Sequence, residues 1–407
     1  LPSGTVITEF GWWEDCPPLG REGSPVAGST SANVNAALSD AARDPVSGSV
    51  PLRAVACELV RAVGANRGRW QGRRSFRVAS LRREGAHIAA VTLAPADDGP
   101  VPAYLPGQYA ILHATVPGLS RAYSLTGDAL TPETYEIGVK HHAAQEGRPA
   151  GRMSSLVHGL KPGDPVELEM PAGTFTPPLG GDRHIVLLAA GIGITPFVGY
   201  LAALAARPDS APEVHLVAIS RNGAEEAFGV RLREAAAALL RLRITRVFTR
   251  PRPEDRLGVD YERAGRPAMS ELALPDPACR PLVYLCGPDA FLRDGKAALT
   301  RLGVPRFDVF SESFASAMAV PSDLAPRTVR LARSGTGFTW TPSAGTLLDA
   351  ADAAGLGLPS GCRAGQCESC SVPVASGSVA HLGPYDGEPD HCLTCRAVPV
   401  SDLVLDA

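Results

Sequence analysis

Cysteines near the end of the chain constrain its fold more than any other feature. Cys362, Cys367 and Cys370 stand in a C-x4-C-x2-C spacing, and a later Cys395 can complete a set of four. Four thiolates in this spacing are the ligand pattern of a plant-type [2Fe-2S] cluster, and the glycines of the loop permit positive φ angles that turn amides toward the sulfurs. The spacing therefore predicts a cluster that carries one electron at a time.

A structural zinc site or a set of disulfides is the alternative use of these cysteines. Zinc sites usually use short knuckles of two cysteines repeated in pairs, whereas this chain has one tight triplet and a distant partner. Five of the nine cysteines lie between residues 362 and 395, and this count includes Cys392, which competes with Cys395 as the fourth ligand. The pattern favours the iron-sulfur cluster over zinc.

Composition is typical of a globular chain. The 407 residues are 45% hydrophobic and 20% charged, with a net charge of −3, and this length predicts two to four domains. No basic stripe stands out, which argues against nucleic acid as a partner. Because no signal peptide opens the chain and free thiols suit a reducing compartment, we expect a cytoplasmic protein. The first residue is Leu, so we expect a fragment of a longer protein.

The longest uncharged run, from Ile185 to Ala206, has the length of a membrane span. Its centre reads Gly-Ile-Gly-Ile-Thr-Pro and would break such a helix, so the run predicts a buried strand, a glycine loop and a helix. Thr195 and Pro196 suit the N-cap and N1 positions of that helix. Bare amides at a helix N-terminus attract pyrophosphate, although this motif alone is weak because many α/β folds use such turns.

Two further apolar strands end in loops typical of a nucleotide site. Residues 214–219 end at Ser220-Arg221, and residues 281–285 end at Cys286-Gly287-Pro288. Strands that each end in a polar or glycine loop place those loops on one edge of a doubly wound parallel sheet, where ligands of such sheets bind. The sequence therefore predicts a dinucleotide-binding domain.

Short apolar stretches between residues 73 and 180 predict a small antiparallel barrel. The segments 88–93 and 135–140 are examples, and Gly and Pro turns separate them. Arg121, Tyr123 and Ser124 place a cation, an aromatic ring and a hydroxyl close together, which suits an isoalloxazine ring with its phosphate. The alternative is an ordinary strand with an exposed arginine and a half-buried tyrosine.

The order of these motifs carries a resemblance. R-x-Y-S-L, G-x-x-S, G-x-G-x-x-P and C-G-P precede a Ser-Glu-Ser-Phe stretch at 311–314 and then the cysteine loop. This order resembles the ferredoxin-NADP reductase superfamily, in particular its phthalate dioxygenase reductase type, over residues 73–407. The resemblance implies a flavin-binding β-barrel at 73–180, an α/β NAD(P)-binding domain at 181–315, a linker at 316–326 and a β-grasp ferredoxin domain at 327–407.

The resemblance also implies residue roles. The metal ligands are the cysteine triplet, with Cys395 preferred to Cys392 because it follows a Leu-Thr pair, and catalytic roles fall to Thr195, Cys286 and Glu312. The implied contacts with the flavin are made by Arg121, Tyr123 and Ser124 and, at its phosphate, by Met153 and Ser154, while Glu312 lies beside the flavin ring. The implied contacts with the dinucleotide are made by Gly191, Gly193, Thr195 and Arg221, and Cys286 approaches the nicotinamide. Further cofactor-binding positions are Leu125, Val139, Gly151, Ile194, Pro196, Gly287 and Pro288.

Two cofactor choices stay open. FMN-containing members often carry Pro-Arg-Asn-x-Phe where this chain has Pro-Ala-Gly-Thr-Phe at 171–175, a form more like that of FAD-containing relatives, so FAD is preferred. Arg221 could hold a 2′-phosphate, or it could be a solvated arginine at a strand end. NADH is preferred to NADPH by the resemblance.

Residues 1–66 belong to none of these domains, and 67–72 is expected to be a linker. The stretches 10–13, 33–36 and 44–48 resemble the C-terminal part of a molybdopterin-dinucleotide-binding domain of the dimethylsulfoxide reductase and nitrate reductase superfamily. That resemblance implies that Asn33 and Asn35 contact a molybdopterin guanine dinucleotide. The alternative is a disordered or docking extension unrelated to molybdenum.

We therefore expect a reductase that passes electrons from NAD(P)H through flavin to the [2Fe-2S] cluster. Hydride transfer from nicotinamide to flavin is chemistry of the cofactors, which the protein orients. The expected acceptor is an upstream molybdopterin centre, or else a separate oxygenase. A cluster-carrying docking module without turnover and a diaphorase with a regulatory cluster are the competing hypotheses.

Overall fold

The computed structural model describes residues 68–114, 119–144, 150–314, 320–365, 368–382, 388 and 390–407. These residues form an antiparallel sheet, a parallel sheet, a mixed sheet and one small two-stranded sheet. The first three sheets follow one another along the chain, each with its own buried apolar cluster. The three predicted architectures are confirmed. The predicted N-terminal piece, residues 1–66, lies outside the described residues, and so do residues 316–319 of the linker expected at 316–326.

The antiparallel sheet is nearest the start of the described chain. Its strands are β1 Arg74–Arg83, β2 Ile88–Pro95, β3 Tyr109–His113, β4 Ser120–Ser124, β5 Tyr135–Lys140 and β6 Pro165–Leu168, with helix α1 Arg152–Gly159 between the last two. The strand order is β4-β3-β6-β1-β2-β5. A bridge between Leu125 and Ile137 joins the two edge strands and closes the barrel. Alternating side chains point inward, so that Phe76, Val78 and Leu93 are fully or almost fully buried.

The parallel sheet follows directly. Its strands are β7 Ile185–Ala190, β8 Val214–Ser220, β9 Leu242–Phe248, β10 Arg263–Ala264, β11 Leu282–Cys286 and β12 Val309–Glu312, with helices α2 Thr195–Ala205, α3 Gly229–Ala238 and α4 Asp289–Arg301. The order is β10-β9-β8-β7-β11-β12 and every pairing is parallel. The central strands are buried on both faces, which explains their continuous apolar sequence.

The apolar run from Ile185 to Ala206 forms a strand, a 3-10 turn and a helix, as its glycines predict. The N-cap prediction for Thr195 is wrong. Gly191–Ile194 already turn helically, so Thr195 is the first residue of α2, and its hydroxyl donates to the Ile192 carbonyl at 3.0 Å instead of capping an amide. Pro196 lies in the first turn, where its missing N–H costs little.

No helix among the described residues is both long and apolar enough to span a membrane. The longest of them, α4, has 13 residues and an amphipathic sequence. A span needs about 20 apolar residues in one helix.

The mixed sheet contains the C-terminal residues. Its strands are β13 Arg327–Leu331, β14 Gly337–Trp340, β15 Ser371–Ser376, β17 His391–Leu393 and β19 Leu403–Leu405, while β16 Val379–His381 pairs with β18 Ala397–Pro399. Helix α5, Leu347–Ala353, buries Leu347, Leu348 and Ala351 against this sheet. A reciprocal cap between Thr346 and Asp349 starts the helix.

The barrel and the parallel sheet are in direct contact along β5. The Arg231 guanidinium of α3 pairs with Glu136 of β5 at 2.5 Å. On the same strand a Cβ at Gly138 would lie 2.6 Å from Thr195 Cγ2 and 2.8 Å from the Phe228 ring. The absence of a side chain at Gly138 therefore allows the barrel to approach the first turn of α2.

Candidate functional site

The carboxyl ends of β7 and β8 form a cleft with about 190 Å³ of empty space. Its walls come from the glycine turn, the two strand ends and the start of α3, and they comprise Ala189, Gly191, Ile194, Ala218, Ile219, Ser220, Glu226, Ala227 and Leu232. Open α/β sheets bind ligands at this edge. The cleft is therefore the place where the fold can receive a dinucleotide.

Two positions of the turn need glycine, each for a different structural reason. Gly191 has a φ of +58°, a conformation that residues with side chains rarely adopt. A Cβ at Gly193 would lie 2.2 Å from the carbonyl oxygen of Cys286, so only glycine lets the turn pack against the end of β11. On the far side of that contact, Gly287 and Pro288 lead into α4, with Pro288 as its N-cap residue.

Cys286 and Glu312 lie side by side at the ends of β11 and β12, where they are paired in register. Both are buried, at 0% and 5% exposure. Burial raises the pKa of Glu312 to about 8, and burial together with the Glu312 carboxyl raises the pKa of Cys286 well above its usual value. The Glu312 Oε2 atom has no hydrogen-bond partner. An unpartnered, protonated carboxyl at this edge is free to bond to a ligand.

Replacing Glu312 by glutamine should flatten the decline of stability at rising pH. The folded protein keeps this proton to about pH 8, whereas in the unfolded chain the carboxyl has its ordinary pKa of 4.5 and loses the proton above that pH. Between these two pH values the folded state binds more protons than the unfolded state. The contribution of this proton to the free energy of unfolding is therefore complete below pH 4.5 and is lost as pH rises through about 8. Thermal midpoints measured from about pH 5 to 9 should fall less for Glu312→Gln than for the wild type. The exposed control Glu234→Gln should keep the wild-type slope, and an equal slope for Glu312→Gln would contradict the assignment.

The barrel presents the second part of the site on β4. Arg121, Tyr123 and Ser124 are on this strand, and the buried Ser124 Oγ has no hydrogen-bond partner. Burial raises the pKa of Tyr123, and burial lowers the pKa of Arg121, with Arg363 as a second cause. An orphaned hydroxyl, a half-buried cation and a phenol on one short strand fit a flavin with its phosphate.

The remaining barrel positions differ in how they are engaged. The Ser154 hydroxyl at the start of α1 donates to the Gly151 carbonyl at 3.0 Å and accepts from the His142 amide at 3.2 Å, so it shapes the turn before the helix. Met153, Leu125 and Val139 are buried in the barrel core. These three side chains therefore pack inside the barrel rather than face open space.

The cluster loop begins at Gly361 and touches the barrel. The Ser120 hydroxyl, next to Arg121, donates to the Gly361 carbonyl at 3.2 Å across a separation of 241 residues. Ser120 is 2% exposed, so water does not compete at this contact. The flavin-side strand and the cysteine loop are therefore adjacent.

Three of the four proposed ligands are among the described residues, and Cys367 lies outside them. Cys370 and Cys395 have their sulfurs 3.1 Å apart, and Cys362 is close enough to contribute to a raised pKa of Cys395. The Ala364 amide donates to the Cys362 sulfur at 3.3 Å. Among the described residues, no three His, Cys, Asp or Glu side chains are grouped closely enough to hold a metal ion. The close approach of Cys370 and Cys395 and an amide aimed at the Cys362 sulfur fit an iron-sulfur cluster.

Cys392 is engaged differently from Cys395. It lies on β17 opposite Val372, at 0% exposure, and belongs to the apolar cluster of the C-terminal sheet. Burial, followed by the nearby Cys370, raises its pKa to about 12. The two cysteines differ in their contacts, because the Cys395 sulfur lies 3.1 Å from that of Cys370, whereas Cys392 stands in a strand ladder opposite Val372.

Several positions depart from the sequence expectations or were not found by them. The Arg221 side chain is 60% exposed and pairs with Glu225 at 3.1 Å, and Arg221 is not one of the residues that line the cleft. Asn33 and Asn35 lie outside the described residues. Ser120, Arg363 and Glu226 were not predicted, because none belongs to a motif whose spacing marks a role. Adjacency to the R-x-Y-S-L motif and to Cys362 is the only signal that could have pointed to the first two.

Three family models match successive parts of the chain. They describe an oxidoreductase FAD-binding domain over residues 91–176, an oxidoreductase NAD-binding domain over 187–296 and a 2Fe-2S iron-sulfur cluster binding domain over 331–400. Each model coincides with one of the three sheets. The flavin, dinucleotide and cluster sites described above therefore fall within domains of the corresponding types.

Two flavohemoproteins match the chain over part of their length. A flavohemoprotein from Chromobacterium violaceum is 38% identical over 258 residues, covering 61% of this chain and 62% of that protein. One from Bordetella pertussis is 36% identical over 265 residues, covering 63% and 64%. The chain thus spans about three fifths of the length of these relatives. These alignments leave more than a third of each protein unmatched.

Two solved structures extend the comparison. Phthalate dioxygenase reductase, described as a modular structure for electron transfer from pyridine nucleotides to [2Fe-2S], is 25% identical, with a TM-score of 0.60 over 83% of this chain and 98% of its own. The FAD/NAD-binding domain of a nitric oxide dioxygenase from Vibrio cholerae O1 biovar El Tor is 30% identical, with a TM-score of 0.52, covering 59% and 98%. The first of these matches reaches beyond the flavin and dinucleotide domains.

Proposed function

This chain belongs to the ferredoxin-NADP reductase superfamily, with a C-terminal [2Fe-2S] domain, and we propose that it oxidises NADH and delivers single electrons to a separate metal centre. When bound, the flavin takes up a hydride and the cluster carries one electron at a time. The observation that carries the proposal is the meeting of three elements: the dinucleotide cleft adjoins the barrel at Gly138, and the barrel adjoins the cluster loop at Ser120.

The chain's own residues orient and enclose the reacting groups. The Gly191–Ile194 turn offers amides to a pyrophosphate, and Gly193 brings that turn against Cys286. Glu312 holds a proton at its carboxyl at neutral pH beside Cys286, because its pKa is raised to about 8. Arg121 and Ser124 offer a cation and a free hydroxyl to the flavin. We propose FAD as this flavin and Cys362, Cys367, Cys370 and Cys395 as the cluster ligands.

Anaerobic mixing of the purified protein with one equivalent of NADH tests the proposal. We expect the flavin absorption to bleach first and the cluster absorption to follow, because the barrel adjoins the dinucleotide domain at Gly138 and the cluster loop at Ser120. If neither NADH nor NADPH bleached the flavin absorption, a docking module without turnover would be favoured. Flavin bleaching with a cluster that stays oxidised would favour a diaphorase with a regulatory cluster.

We propose NADH as the dinucleotide because the cleft walls, among the residues that the structure describes, include a carboxylate and no arginine. Glu226 is one of its wall residues, is partly buried and pairs at 3.7 Å with Arg233, whose side chain is 58% exposed. Its carboxylate can accept a ribose hydroxyl and repel a 2′-phosphate. Arg221 does not line the cleft and pairs with Glu225 at 3.1 Å.

Glu226→Gln should raise the kcat/KM for NADPH about tenfold, the effect of removing one repulsion of about 1.4 kcal/mol, and should change that for NADH little. Steady-state reduction of an artificial acceptor measures both constants. Arg221→Gln is the matched control and should change neither. A selective loss of NADPH activity in Arg221→Gln would mean that Arg221, not Glu226, decides the preference.

The acceptor is a further part of the proposal. The molybdopterin hypothesis is supported by the motifs of residues 1–66 alone, because those residues lie outside the described ones and no matched family model begins before residue 91. The likeness to phthalate dioxygenase reductase supports the second candidate, a separate oxygenase. Molybdenum analysis of protein purified from its native source distinguishes the two: stoichiometric molybdenum supports the first, and its absence supports the second.

A further inference from the structure

We propose that Arg363 is a positioning residue of the junction between flavin and cluster, and that its charge raises the reduction potential of the cluster. The inference rests on the proposed function, since it concerns the step in which one electron leaves the reduced flavin and enters the cluster. It adds to that function a named cation and a carboxylate that opposes it. The cation is Arg363 and the carboxylate is Asp352.

Arg363 is fixed in an unusual position. It follows Cys362 directly, and its φ of +58° is in the left-handed region that side chains other than Gly, Asn and Asp rarely occupy. Its side chain is buried at 7% exposure, forms an ion pair with Asp352 of α5, and lies with Nη2 3.4 Å from the Ser360 hydroxyl. A strained backbone held by a buried ion pair is typical of functional loops. The pair therefore fixes where this cation lies relative to Cys362.

The Arg363 guanidinium acts electrostatically on Arg121 of β4, the strand that carries the proposed flavin contacts. Arg363 is the second cause, after burial, of the lowered pKa of Arg121, so the two cations are within electrostatic reach of each other. The residue before Cys362, Gly361, accepts a hydrogen bond from Ser120, the neighbour of Arg121 in β4. Like charges are brought together here although each is partly desolvated. Such an arrangement is stabilised by negative charge that arrives between or beside them.

Reduction of the cluster adds that negative charge. A buried cation one residue from a ligand stabilises the reduced form, whereas the carboxylate of Asp352 destabilises it. The two substitutions that remove these charges must therefore shift the cluster potential in opposite directions. If the ion pair only held the loop in place, the two substitutions would shift the cluster potential in the same direction. Removing either partner breaks the same ion pair and disturbs the loop in the same way.

The test is an equilibrium redox titration of the cluster, monitored by electron paramagnetic resonance, in the flavin-loaded full chain. Arg363→Gln should shift the equilibrium toward the oxidised cluster about tenfold, or about 59 mV lower for a one-electron couple. Asp352→Asn should shift it in the opposite direction. Arg363→Lys should stay near the wild type, because it keeps the charge. Arg330→Gln on β13, an exposed arginine of the same domain, is the control and should not move.

Equal or same-direction shifts in Arg363→Gln and Asp352→Asn would overturn the inference. If both Arg363 variants lost their iron and sulfide, the Asp352→Asn potential alone decides: a rise supports the inference, and no change or a fall overturns it. The proposed function fails separately, if the wild-type flavin is not bleached by NADH or NADPH. Flavin reduction by NADH should proceed at the wild-type rate in Arg330→Gln, because β13 belongs to neither the flavin nor the dinucleotide domain.

Discussion

Replacing Cys395 by serine should abolish the [2Fe-2S] cluster while NADH continues to reduce the flavin. The Cys395 sulfur lies 3.1 Å from that of Cys370, and both are buried beside Cys362. A serine hydroxyl is a poor substitute for a thiolate at such a site, so bound iron and acid-labile sulfide should fall to near zero. The flavin and dinucleotide sites are built from other sheets, so their reaction should keep most of its rate.

Cys392→Ser is the matched control, because it changes the same atom three residues away. Cys392 packs in the apolar cluster of the C-terminal sheet opposite Val372. A buried hydroxyl there should cost about 1–3 kcal/mol of stability but leave the iron content unchanged. Loss of iron from Cys392→Ser together with retention in Cys395→Ser would exchange the two assignments.

Gly193→Ala should remove most of the NADH oxidation while leaving the flavin bound. The new Cβ would lie 2.2 Å from the Cys286 carbonyl oxygen and 2.5 Å from its carbon, and backbone atoms cannot move aside as a flexible side chain can. Overpacking of this kind costs about 1–3 kcal/mol, and a misplacement of about 1 Å in a reacting geometry costs on the order of 10²-fold in rate. Stopped-flow reduction by NADH measures the rate, and the flavin spectrum measures retention.

Gly159→Ala is the control for this glycine. It ends α1 in the barrel, and its Cβ would point into open space with nothing within 4 Å. We expect wild-type rates and wild-type flavin content. A wild-type rate in Gly193→Ala would show that the contact between the turn and β11 is not needed for hydride transfer.

Much of the fold could be predicted from the sequence because its signals are local. The continuous apolar run of β7 and the glycines after it define a buried strand and a turn without reference to other residues, and β5 was predicted with the bounds that it has. Cysteine spacing likewise defines a loop. Thr195 shows the limit: its propensity favours an N-cap, but the helical turn formed by Gly191–Ile194 begins the helix before it.

The contacts between domains could not be predicted, because they join residues that no spacing relates. Ser120 and Gly361 are 241 residues apart, and the pairing of Arg363 with Asp352 depends on how α5 packs beneath the loop. The same holds for Glu226, whose role depends on the cleft that β7, β8 and α3 form together. Arg221 was a candidate for the cleft from its position at a strand end, yet it does not line the cleft and instead pairs with the neighbouring Glu225.

The most direct test is the electron paramagnetic resonance spectrum of the full chain after anaerobic addition of NADH. A relay that receives electrons in pairs and releases them one at a time should give the signal of a reduced [2Fe-2S] cluster, integrating to about one spin per chain. The signal should be missing in Cys395→Ser and present in Cys392→Ser. An iron-loaded wild-type protein whose flavin is fully reduced, but whose cluster gives no such signal, would contradict the account.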